Sequence, residues 1–129
     1  MTGVQTCALP IFQLGKFTSH AGNELDWKIE CDALTDDDWE CLAKMINEKV
    51  EFGSVHGIPR GGTKLANALQ KYCRPRHPIH LVVDDVWTTG KSMREVMKKG
   101  DLGFVVFARQ KIPFEPDTYT RALFTMEVL

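Results

Sequence analysis

The sequence predicts an α/β fold: short apolar runs of strand type alternate with helical patterns, and glycine-bearing turns fall between them. Segments 79–83 and 103–108 are brief and mainly apolar, as strands buried on both faces should be, and 53–56 reads as a further short strand before a glycine-rich turn. Helices between such strands must pack on the faces of a parallel sheet. The expected architecture is therefore a short doubly wound parallel sheet of the Rossmann-like kind, preceded by a small antiparallel unit.

Length and composition fit one domain. The 129 residues are 43% hydrophobic, enough for a single core, and no apolar run approaches the length of a membrane span. With 16 basic and 17 acidic side chains no global field attracts a polyanion, which disfavours long nucleic acid as a partner. Cys7, Cys31, Cys41 and Cys73 lack zinc-ligand spacing and read as reduced thiols of a cytoplasmic protein. Residues 1–11, MTGVQTCALPI, have no periodicity and no secretory pattern; they read as a non-native leader, to be left out of the fold.

From Phe12 polar and apolar residues alternate, a turn signal stands at Ala21-Gly22-Asn23, and alternation resumes in 26–31, so 12–32 predicts an antiparallel hairpin. Thr35 with Asp36, Asp37 and Asp38 is a helix start, and Trp39, Leu42, Ala43, Ile46 and Val50 give the apolar stripe of a helix over 36–49. Residues 53–56 form a strand ending in a glycine-rich turn, 57–62. A helix over 63–72 buries Leu65, Ala66 and Leu69, and 73–78 is a basic, proline-broken connector. Then follow a strand over 79–83, a loop over 84–90, a helix over 91–99 stopped by Gly100, a strand over 103–108, and a last strand over 122–128.

The most informative segment is Leu81-Val82-Val83-Asp84-Asp85-Val86-Trp87-Thr88-Thr89-Gly90-Lys91-Ser92. An apolar strand runs into two carboxylates, then into a turn of hydroxyls and glycine, then into a helix. Ligands of open parallel sheets bind at the carboxyl ends of the strands, where this turn must lie. Its N–H groups and hydroxyls suit a phosphate, and the helix dipole adds to them. Asp84 and Asp85 suit the vicinal hydroxyls of a sugar. A phosphate site beside a diol site describes a ribose 5-phosphate. A nucleoside-triphosphate P-loop is excluded, because it needs a glycine where Asp85 stands. The turn Gly57-Ile58-Pro59-Arg60-Gly61-Gly62 reads, on its own residues, equally as a pyrophosphate cradle and as a plain strand-to-helix turn with a solvated arginine.

The run of strand, Asp84-Asp85, apolar residue, x, Thr88-Thr89-Gly90, x, Ser92 resembles the phosphoribosyl pyrophosphate motif of type I phosphoribosyltransferases. Residues 55–62 resemble that family's pyrophosphate loop, and 17–32 are similar to the N-terminal hood of its orotate-specific members. The resemblance implies one phosphoribosyltransferase-like domain over 1–129, with 12–34 as hood and 35–129 as core. It implies a cytoplasmic homodimer that moves a phosphoribosyl group from phosphoribosyl pyrophosphate to a nucleobase, orotate favoured, and releases pyrophosphate.

In that frame Asp84 and Asp85 are the catalytic pair, holding the ribose hydroxyls or magnesium through water or substrate. Val86, Trp87, Thr88, Thr89, Gly90, Lys91 and Ser92 hold the 5-phosphate. Gly57, Ile58, Pro59, Arg60, Gly61 and Gly62 hold pyrophosphate; Arg109 and Lys28 meet the base. The sequence also departs from the family. Ala108 stands where relatives carry an aspartate, and too few residues separate Gly62 from Leu81 for the long lid loop of orotate-type members. Lys71, Arg74, Arg76 and His77 read either as a solvated basic turn or as a partial substitute for that lid. A second expectation is therefore a regulatory module that binds phosphoribosyl pyrophosphate or a nucleotide with little or no turnover.

Overall fold

The computed structural model describes residues 12–18 and 24–126, in two compact units, Met1–Thr35 and Asp36–Leu129. In the first unit β1 (Phe12–Thr18) pairs antiparallel with β2 (Glu24–Ile29), Phe12 opposite Ile29 and Thr18 opposite Glu24, with a register shift between Leu14 and Phe17. The hairpin expected from alternation is thus present, and a single 3-10 turn, Cys31–Ala33, follows it. Residues 1–11, expected to be a leader, and the turn signal at Ala21-Gly22-Asn23 lie outside the described residues.

The second unit holds a four-stranded parallel sheet, β3 (Ser54–Gly57), β4 (His80–Trp87), β5 (Leu102–Ala108) and β6 (Thr120–Thr125), in that spatial order. Leu81, Val82 and Val83 on β4 and Phe104, Val105 and Val106 on β5 are all buried, as continuous apolar runs of a two-faced sheet require. Helix α1 (Asp36–Asn47) opens on three aspartates and buries Trp39, Leu42, Ala43 and Ile46, one turn apart along a single stripe. Helix α2 (Gly61–Leu69) connects β3 to β4, and α3 (Lys91–Val96) connects β4 to β5.

The two connecting helices lie on opposite faces. A Cβ on Gly57 would meet Gly62 and Ala66 of α2, and Gly57 is in register with Val83. A Cβ on Gly103 would meet Met93 of α3 and the adjoining Met97, and Gly103 is in register with Val82. Val82 and Val83 alternate across the sheet, so α2 covers one face and α3 the other. Helices on both faces are what a doubly wound sheet has, yet β3, β4 and β5 advance in one direction. Two successive crossovers that step the same way on opposite faces must have opposite hand, so one of them departs from the usual right-handed rule.

Several expected boundaries shift, and four of the shifts have an identifiable cause. Strand β4 does not stop at Val83: its ladder with β5 continues through Asp84 opposite Val105 to Trp87 opposite Ala108, so both carboxylates stand on the strand. Helix α2 begins at Gly61, inside the expected turn, because the close approach of Gly57 and Gly62 lets the chain turn at once. Helix α3 ends at Val96 rather than Lys99, since Met97 takes extended backbone and joins the core with Val105. The tight turn after it is held by the Lys98 N–H donating to Asp101 Oδ2 at 2.9 Å and by Gly100 at φ 92°. Strand β6 begins at Thr120, two residues early, because the Gly103 N–H donates to the Tyr119 carbonyl and draws that segment alongside β5.

The connector after α2 sits at the amino end of the strands. The Arg74 N–H donates to the Phe52 carbonyl and the Gly53 N–H to the Ile79 carbonyl, both just before β3 and β4 begin. Among the described residues no helix is long and apolar enough to cross a membrane, and Cys31, Cys41 and Cys73 are free thiols.

The close approach of Gly57 to the Gly62 backbone makes Gly57→Ala a test of the packing. The added methyl meets a carbonyl rather than a flexible side chain, so urea denaturation should show a loss of about 1–3 kcal/mol. An unchanged midpoint would mean that the two turns are not so close.

Candidate functional site at the carboxyl ends of the strands

Strands β3, β4 and β5 each end in one of the segments singled out from the sequence. The Ile58 N–H donates to the Val83 carbonyl at 2.9 Å, which draws the turn after β3 against the end of β4. Gly62 lies over Val83 and Asp84, and a Cβ on Gly61 would collide with the Asp85 carboxylate. The two turns therefore form one continuous surface, with the carboxylates between them. Ile58 is buried in the core cluster and Gly62 is buried beneath the turn, whereas Pro59 and Arg60 stand exposed at its tip, joined by a cis peptide. Of this turn, only glycine backbone and the tip residues can face a ligand.

The two aspartates are chained through the backbone. The Asp85 N–H donates to Asp84 Oδ1 and the Val86 N–H to Asp85 Oδ1, each at 2.8 Å. Asp84 is buried and Asp85 half-buried. Burial first, and the neighbouring Asp85 second, push the Asp84 carboxyl from 3.8 up to about 8. A carboxyl in that state is poised to ionise when a cation or hydroxyl donors reach it.

Past the aspartates the side chains divide. Trp87 turns its indole into the core beside Met93 and Met97, while Thr88 is half-buried and Thr89, Lys91 and Ser92 are exposed. Gly90 has φ 84°, and a Cβ there would strike the Trp87 ring as well. Two carbonyls of the turn are each held by a side chain: Gln110 Nε2 donates to Thr88 O at 3.1 Å, and an Arg94 Nη donates to Thr89 O at 2.6 Å. In a trans peptide the N–H points opposite to the C=O, so the Thr89 and Gly90 amides face away from those side chains. Because α3 has six residues, its dipole is a smaller part of any anion site than the sequence implied; the turn amides and hydroxyls are the larger.

Arg109 follows β5, its N–H donating to the Trp87 carbonyl at 2.9 Å, so its backbone stands beside the start of the turn 88–92. Ala108 is buried, and its carbonyl accepts from the Met126 N–H. Lys28 stands on β2 opposite Gln13 and belongs to the N-terminal unit. The basic connector is elsewhere: Lys71 pairs with Glu40, and Arg74 and His77 lie 3.7 and 3.8 Å from Glu51. From His80 to Trp87 the strand spans roughly 23 Å, so these cations cannot replace a lid at its far end. The reading as a solvated basic turn is the one observed.

Sequence reasoning missed Arg94 and Glu115. Arg94 falls one helical turn after Gly90, a spacing that places its side chain back over the turn, but Glu115 comes from the β5–β6 loop and left no local signal. Among the described residues there is no cluster of three or more metal-ligating side chains.

No protein-family model matches the sequence, and no curated protein matches it. Solved structures do match in fold. UMP synthase of Leishmania donovani aligns over 89% of this chain with a TM-score of 0.69 at 14% identity, the chain spanning 33% of that protein. Orotate phosphoribosyltransferase of Aeropyrum pernix aligns over 89% of this chain and 88% of its own, TM-score 0.66, 18% identity. The orotate phosphoribosyltransferase of Mycobacterium tuberculosis H37Rv, in complex with inorganic phosphate, aligns over 95% and 91%, TM-score 0.61, 18% identity.

Two outcomes follow from the site geometry. Gly90→Ala forces a methyl into positive φ and against Trp87, so it should lower unfolding free energy by about 1–3 kcal/mol in urea titration; a neutral effect would contradict the turn geometry. The raised Asp84 carboxyl binds its proton more tightly folded than unfolded. Its stabilising contribution is therefore complete below about pH 4 and is lost as pH rises towards about 8. Asp84→Asn should gain on the parent across that window, by on the order of 5 °C in melting temperature at pH 8 and less at pH 5. A difference that does not vary with pH would contradict the burial of that carboxyl.

Proposed function

For a chain with the type I phosphoribosyltransferase fold of the orotate kind, we propose transfer of a phosphoribosyl group from phosphoribosyl pyrophosphate to a ring nitrogen of a nucleobase, with release of pyrophosphate. The observation that carries this reading is the contact between the two turns, with the Asp85 carboxylate against Gly61. A diol site thereby lies between two sites suited to phosphates, which is the order of groups in phosphoribosyl pyrophosphate.

In this reading Asp84 and Asp85 accept hydrogen bonds from the ribose 2- and 3-hydroxyls. The amides and hydroxyls of the turn Thr88, Thr89, Gly90, Lys91 and Ser92 hold the 5-phosphate. The amides of Gly61 and Gly62 and the Arg60 guanidinium hold the pyrophosphate and stabilise the charge that builds on it as the C1–O bond breaks. The base attacks the cation-like C1 through its ring nitrogen, and no side-chain nucleophile is needed. Placement and fixed charge supply the rate. Two adjacent carboxylates, with substrate phosphates and water completing the shell, suit magnesium, which would neutralise charge on the pyrophosphate. Arg109, at the end of β5, is the candidate partner for the carboxylate of an acidic pyrimidine, which makes orotate the favoured acceptor. The same reading carries a homodimer as its expected assembly.

A second reading has its own support. The basic connector lies at the amino ends of the strands, so nothing between α2 and β4 reaches the carboxyl ends as a lid. Without closure, water reaches the reacting centre. Such a chain can serve as a module that binds phosphoribosyl pyrophosphate and turns over slowly.

Incubation with phosphoribosyl pyrophosphate, magnesium and a panel of bases decides between them. The enzyme reading predicts pyrophosphate release that depends on the base, fastest with orotate, and falls at least about 100-fold in the double variant Asp84→Asn, Asp85→Asn. Tight binding without base-dependent release supports the module. Absence of binding contradicts both.

A further inference from the structure

We infer that Arg94 is a positioning residue for the phosphate turn, an inference that rests on the proposed function. Its guanidinium contacts three residues. An Nη donates to the Thr89 carbonyl at 2.6 Å, Nε and the other Nη donate to Glu115 Oε1 at 3.2 Å each, and the group lies 5.3 Å over the Trp87 ring. The ring and the carboxylate together restrain the guanidinium, and the remaining N–H then fixes the direction of the Thr89 carbonyl.

That direction decides which way the Gly90 amide points. The Thr89–Gly90 peptide is planar and trans, so a carbonyl turned towards Arg94 sends the Gly90 N–H to the other side, where the anion is expected. Gly90 has the positive φ that such a reversal needs. A glycine peptide without an external clamp flips easily, and a flipped peptide would present a carbonyl oxygen to the phosphate. Arg94 prevents that flip.

Exposure argues that the arrangement matters little for folding. The side chains of Arg94 and Glu115 are 45% and 39% exposed, a setting in which an ion pair adds little stability. Glu115 is itself held: Thr118 Oγ1 donates to its Oε2 at 3.2 Å, and the Thr118 N–H to its carbonyl. The β5–β6 loop that follows Arg109 and Gln110 thus braces the phosphate turn through one guanidinium. Gln110 does the same for the Thr88 carbonyl. Occupation of the phosphate turn and the conformation of this loop are coupled as a consequence.

Calorimetric titration of the full chain with ribose 5-phosphate, and separately with pyrophosphate and magnesium, tests the role. Arg94→Met should weaken ribose 5-phosphate about tenfold, the order of one aligned hydrogen bond to an anion, and leave pyrophosphate within about twofold. Arg94→Lys should remain several-fold weaker than the parent, because an ammonium keeps the charge but not the fork that holds Thr89 and Glu115 together. Glu115→Gln is the milder variant should Arg94→Met fold poorly, with an expected selective loss of about two- to threefold. Full recovery by lysine would mean that charge alone attracts the ligand and would overturn the positioning role. Equal weakening of both ligands, or no change in either, would overturn it as well. Failure of the parent chain to bind ribose 5-phosphate would instead sink the functional reading, and this inference with it.

Discussion

The site depends on a backbone-to-backbone contact where side chains have no room. Gly57 and Gly62 let the turn after β3 fold down onto the end of β4, and the Ile58 N–H closes the contact on the Val83 carbonyl. Without that approach the two turns would be separate loops on neighbouring strands. With it, the Asp85 carboxylate is pressed against Gly61 and the catalytic chemistry proposed for the chain has a place to occur. The core beneath, from Val82 and Val105 to Met93 and Met97, keeps both strand ends at one level.

Charge at this edge is arranged in the same economical way. One carboxyl is buried and holds its proton high, its neighbour is half-buried, and the arginines that follow the strand ends come from three different segments: Arg60, Arg94 and Arg109. Of these, Arg94 is committed to the shape of the turn. Arg60 follows β3 and Arg109 follows β5 along the chain, and the proposed function assigns them the leaving group and the incoming base.

Much of this was legible in the sequence, because it was local. The stripe of Trp39, Leu42, Ala43 and Ile46 gives α1, and the run from Leu81 to Ser92 gives strand, acids, turn and helix start without reference to anything distant. The extension of β4 through Trp87 was not legible: Asp84 and Asp85 are poor strand formers, and only pairing with Val105 to Ala108 on β5 keeps them extended. The early end of α3 was hidden for a similar reason, since core packing of Met97 overrides helical propensity. Nor does any residue announce that the crossovers through α2 and α3 differ in hand. That follows from sheet order, set by contacts between segments far apart. The short connector between α2 and β4 could be counted from residue numbers, but its place at the opposite end of the strands came from backbone pairing, Arg74 with Phe52 and Gly53 with Ile79.

Amide chemical-shift mapping on the full chain tests the central claim most directly. Ribose 5-phosphate should move the amides of residues 88–92, pyrophosphate with magnesium those of 57–62, and phosphoribosyl pyrophosphate both sets together. Shifts centred on the connector 71–77, or phosphoribosyl pyrophosphate moving neither set, would contradict a single site shared by the two turns.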